Sequence, residues 1–122
     1  MSDFKIITHS TYKNYEYLIV LFNNSWYCAY IVIPESHPLY KVHYDNIQNI
    51  NVHGGFTFSD FHQLLDNKWA LGWDYMHLGD YNPIFGEDQC DILDIPNHKW
   101  TPKQIENECK NVIDQLNTNY TF

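Results

Sequence analysis

The sequence predicts an α+β domain: an antiparallel sheet with an N-terminal β-hairpin and a C-terminal amphipathic helix packed on one face. Three observations predict it. Two strand-like segments flank a turn, a capped helix closes the chain, and no helical pattern alternates with strands as a parallel βαβ fold would require. At 122 residues the chain fits one compact domain spanning 1–122.

Tyr15 to Phe22 and Trp26 to Ile33 are rich in β-branched and aromatic residues, and Asn23-Asn24-Ser25 between them is strong turn chemistry. These form the hairpin. Both strands are apolar at nearly every position, which places them centrally, covered on both faces or with one face left for a partner. Pro34 ends the second strand, and Pro34 and Pro38 make the segment to Tyr40 an ordered loop in which His37 serves to hold the backbone. Ile50 to His53 alternates as a short strand, Ser59 to Leu65 supplies one helical turn, and Trp69 to Trp73 reads as a further strand. Residues 81–97 show no period and form an acidic loop containing Glu87, Asp88, Asp91 and Asp94. The final helix starts at Thr101, with Pro102 at its first position and Gln104 completing a Thr-x-x-Gln capping box. Ile105, Cys109, Val112, Ile113 and Leu116 then recur at helical spacing as one apolar stripe.

Composition excludes several functions. The formal net charge is −8, and the seven basic residues are all lysines, scattered along the chain. Without arginine forks or a basic cluster, direct nucleic-acid binding is not expected. A protein partner with a basic surface, a metal or a small-molecule ligand fits better. Cys28, Cys90 and Cys109 are odd in number and widely spaced, giving neither a disulfide framework nor a thiolate zinc site. No apolar run is long enough to cross a bilayer, and the expected compartment is cytoplasmic.

Candidate chemistry concentrates in two segments, Val52 to Ser59 and Trp69 to Asp80. They bring His53, Gly54, Gly55, Asp74, His77 and Asp80 among large aromatics. Imidazole with two carboxylates is a ligand set suited to Mn²⁺, Fe²⁺ or Zn²⁺. The same groups serve equally as a general acid–base pair. A third reading makes the histidines partners of buried backbone groups around glycine turns, with the aspartates capping them. Ser59, Thr57 and Cys28 lie in no nucleophile motif, and the glycine pair lacks the Lys-Ser/Thr of a phosphate loop. Trp26, Tyr27, Tyr30, Trp69 and Trp73 suggest a stacking surface for a planar ligand, although Tyr27 must face away from Trp26 and Tyr30.

Tyr30-Ile31-Val32-Ile33-Pro34, His37-Pro38-Leu39-Tyr40, Tyr44-Asp45, the run from Val52 to Ser59, Gly72-Trp73-Asp74 and His77-Leu78-Gly79-Asp80 together resemble a family of small phage and bacterial proteins. Its pattern runs G-Y-V-x-V-P-x-x-H-P-L-Y, then Y-D-D, V-H-G-G-L-T-Y-S and G-F-D-C-x-H-x-G-D, before a terminal helix. This chain departs from it with Phe56 for Leu, Trp73 for Phe and Tyr75 for Cys, which discounts thiol chemistry here. The resemblance implies a phage-associated accessory protein in the host cytoplasm, acting by binding as a counter-defence inhibitor of a host defence component or its nucleotide signal. A small metal-assisted or acid–base enzyme and a structural or assembly protein are the alternatives. Glu87, Asp88, Asp91 and Asp94 are the expected meeting point with a basic partner.

Overall fold

A computed structural model describes residues 3–75 and 100–120. Among the described residues five antiparallel strands form one sheet: β1 (Phe4–Tyr12), β2 (Tyr15–Phe22), β3 (Trp26–Val32), β4 (Phe58–His62) and β5 (Lys68–Asp74). Their spatial order is β1-β2-β3-β5-β4. Helix α1 (Pro102–Asn119) packs on one face.

The expected α+β architecture is present. Its hairpins follow from turn residues that accept positive φ, Lys13 and Asn14 between β1 and β2 and Asn23 and Asn24 between β2 and β3. Strand β2 is central, and Tyr17, Leu18, Ile19 and Val20 are buried on both of its faces. Helix α1 begins as expected, with the Thr101 side chain accepting from the Gln104 N–H and the Gln104 side chain accepting from the Thr101 N–H. Its stripe of Ile105, Cys109, Val112, Ile113 and Leu116 meets Tyr17, Ile19, Ala29, Ile31, Leu71 and Trp73 from the sheet. The stripe is fully buried.

Two local expectations are corrected, and one strand is added to those expected. Strand β1 is not among those expected; its alternation is broken by a bulge between Ile6 and Thr8, and its first residues are solvent-exposed. Ile50 to His53 is not a strand. It is a loop whose Asn51 N–H and carbonyl bond both ends of the Gln115 amide, at 2.6 and 2.7 Å, so a helix side chain satisfies the backbone that a ladder would have used. Ser59 to His62 belongs to β4, and only Gln63–Leu65 forms the helical turn, a 3-10 turn capped by His62.

The sheet's second face holds a smaller cluster of Leu18, Val20, Tyr30, Val32, Leu65 and Ala70. At one end of that face Glu16 accepts hydrogen bonds from His9 and from Lys68, the latter at 2.9 Å. This network ties β1, β2 and β5 together. No helix among the described residues is long and apolar enough to cross a membrane.

Candidate functional site

His53 sits in a tight turn closed by the Gly55 N–H donating to the Val52 carbonyl at 2.9 Å. Gly54, in the third place of that turn, has φ 68°, a value glycine adopts without a Cβ penalty. Gly55 has φ 80°, and a Cβ there would meet nothing within 4 Å. Backbone conformation, rather than close approach of another group, therefore accounts for the second glycine.

The turn lays the His53 imidazole parallel to the Tyr75 ring, with centroids 4.7 Å apart and planes 8° from parallel. Trp100, just before α1, closes on the same imidazole at 4.8 Å and 60°. Tyr75 and Trp100 also touch, at 5.0 Å. Tyr75 is fixed in turn by the Trp73 indole N–H, which donates to its hydroxyl at 3.0 Å. His53 thus belongs to an aromatic stack on the α1 side of the sheet.

Asp74 points the other way. Successive strand residues alternate between faces, and Asp74 pairs with Cys28 on the face opposite Trp73 and Tyr75. Its carboxylate accepts from the Thr57 hydroxyl at 3.1 Å, while the Thr57 N–H donates to the Gly72 carbonyl, so the bond aligns the start of β4 with β5. The structure brings His53 and Asp74 to the same end of β5 but to opposite sides of it. His77, Asp80, Glu87, Asp88, Asp91 and Asp94 lie outside the described residues. Among the described residues no three His, Cys, Asp or Glu side chains are grouped to hold a metal ion.

At the two described cysteines, Cys28 and Cys109, thiol chemistry is disfavoured on physical grounds. Burial, with the Asp74 charge beside it, pushes the Cys28 thiol up to about 12, and burial pushes Cys109 up further. Neither forms thiolate near neutrality. Tyr75 fills the place beside His53 with a phenol ring.

The aromatics divide as alternation requires. Trp26 stacks on Phe22 on the second face, with centroids 6.3 Å apart, whereas Tyr27, Trp69 and Trp73 pack against the α1-side core. They do not form one planar-ligand platform. His37 is buried and orders its loop as expected. Its Nδ1 accepts from the Leu39 N–H at 3.0 Å, and burial lowers its pKa against the opposing hydrogen bond to the Leu116 backbone, which favours the neutral ring. The residues not anticipated were Trp100, whose sequence distance from His53 hides the contact, and the Glu16 network with His9 and Lys68.

No family model, curated protein or solved structure matches this chain.

Proposed function

We propose that this chain acts by binding rather than by catalysis, as a phage-associated accessory protein of the kind its motifs resemble, countering a host defence component or capturing its nucleotide signal. The observation that carries the reading is the environment of His53. Its ring stacks on Tyr75 and meets Trp100 edge-on, and Asp74, the carboxylate nearest in the motif, lies on the other face of the sheet bonded to Thr57. A half-buried aromatic cluster of this kind suits a binding surface.

The chemistry of the whole chain supports the same reading. A net charge of −8 without arginine suits steering toward a basic protein surface, such as the nucleic-acid channel of a host nuclease. Glu87, Asp88, Asp91 and Asp94 supply a local concentration of that charge.

Affinity capture with the purified chain from a bacterial host lysate, at low and high salt, tests the proposal, with the retained fraction extracted for nucleotides. Salt-sensitive retention of one protein whose activity the chain inhibits, or a co-purifying nucleotide, is the expected result. Retention of neither, together with a metal-dependent rise in melting temperature in Mn²⁺ or Zn²⁺, would overturn it in favour of the enzyme built on His53, Asp74, His77 and Asp80.

A further inference from the structure

We infer that the outer edge of β1 is a docking site for an extended peptide segment of a partner protein, one in which an acidic residue stands between two apolar ones. Strand β1 ends the sheet, and among the described residues no strand pairs with its outer side. Unpaired backbone groups along an edge strand are a template for an added strand. Of the three exposed large hydrophobic residues in the described chain, two lie here, Phe4 at 49% and Ile6 at 46% exposure. They share one face of β1, flanked inward by their register partners Phe22 and Val20. An added strand would place its own side chains beside them, at the spacing where cross-strand pairs stabilise a sheet.

Charge selects the occupant. In a chain of net charge −8, β1 has no carboxylate and carries Lys5 and His9. His9 is bonded to Glu16, which leaves the exposed Lys5, between Phe4 and Ile6, as the ion that meets an incoming strand. The other sheet edge, β4, is shorter and carries Asp60. A second copy of this chain fits β1 poorly. The antiparallel register that sets Phe4 against the partner copy's Ile6 also sets Lys5 against Lys5, and like charges directly opposite destabilise. A register centred on Thr8 avoids that clash but sets Phe4 and Ile6 against Tyr12 and Ser10. An apolar–acidic–apolar segment satisfies all three positions together. Strand β1 contains none of Glu87, Asp88, Asp91 and Asp94, so the peptide titration here and the capture of a basic partner read different residues.

Two fluorescein-labelled decapeptides with a central Val-Asp-Val or Val-Lys-Val, titrated into the intact chain by fluorescence anisotropy, test the inference. Amide chemical shifts locate the contact. The aspartate peptide should bind about fivefold more tightly than the lysine peptide, with the largest shifts at residues 4–6. Lys5→Glu, an exposed change whose circular dichroism should match the parent, should reverse that order. Phe4→Ser combined with Ile6→Ser should abolish binding of both peptides. Equal affinities, no binding, a preference unaltered by Lys5→Glu, or shifts centred away from β1 would each overturn the proposal. So would self-association through β1 in sedimentation of the free chain.

Discussion

The ring of Tyr30 lies directly over Gly72. A Cβ on that glycine would stand 2.6 Å from Tyr30 Cδ1 and 3.1 Å from the Ala29 carbonyl oxygen. The tyrosine cannot swing aside freely, because Phe58 and His62 meet its ring edge-on, with centroids at 5.3 and 4.3 Å. Glycine is required at position 72 because the neighbouring strand lays an aromatic ring across it.

Gly72→Ala should therefore destabilise the fold by about 1–3 kcal/mol, the usual cost of overpacking. Pairing it with Tyr30→Leu should recover part of that loss. Urea unfolding of the two single variants and the double variant measures the coupling.

The stack around His53 makes a second prediction. His53→Ala removes contacts with both Tyr75 and Trp100 and should cost about 1–2 kcal/mol. His53→Phe keeps a ring in the same turn and should retain most of the parent stability. If function also survives His53→Phe, the imidazole's proton and metal chemistry is dispensable; loss of function in a fully stable variant would restore the enzymatic reading. Thermal melts and the partner-capture assay give the two readouts.

Glu16 sets a pH dependence. Its burial opposes the charge, but hydrogen bonds and the charges of Lys68 and His9 prevail and hold its carboxyl below the ordinary 4.5. A carboxylate with a depressed folded pKa stabilises the fold above about pH 4.5, and that contribution disappears as pH falls through the lowered folded value. Glu16→Gln should accordingly melt earlier than the parent at pH 7, with the gap closing toward pH 3. Because His9 and Lys68 are about half exposed, the gap should stay below about 1 kcal/mol.

Ile113→Asp should be the most damaging of these changes. The position is fully buried in the α1 stripe, and an unpaired carboxylate there should cost on the order of 4 kcal/mol. A melting temperature equal to the parent's would mean that α1 does not hold the sheet.

The parts of this fold legible in the sequence are those whose signal is local. Thr101, Pro102 and Gln104 announce α1 within four positions, and the turn at Asn23-Asn24 announces the hairpin between strands apolar at nearly every position. Strand β1 escaped because its bulge breaks the alternation and its Phe4 and Ile6 side chains remain in water. Phe58, Phe61, His62 and Leu65 have spacings compatible with helix and strand alike, and pairing with β5 decided between them. At the site, the glycine turn was legible whereas the stacking partners of His53 were not. Tyr75 and Trp100 reach it through tertiary packing, and alternation along β5 carries Asp74 to the opposite face.

The strand order also has a kinetic consequence. Hairpins β1–β2, β2–β3 and β4–β5 join neighbours in sequence, but β5 reaches β3 only after residues 33–57 have closed as a loop. Closing so long a connection costs entropy before any contact rewards it, so it should be the slow event in assembly. The amides of Gln115 and Asn119 and the hydroxyl of Tyr120 grip the backbone of residues 48–51 in the middle of that loop. The end of the chain thereby acts as a latch on a closure made earlier in the sequence. Gln115→Ala should speed unfolding in stopped-flow measurements while leaving the refolding rate nearly unchanged, because a latch engages only after the loop has shut.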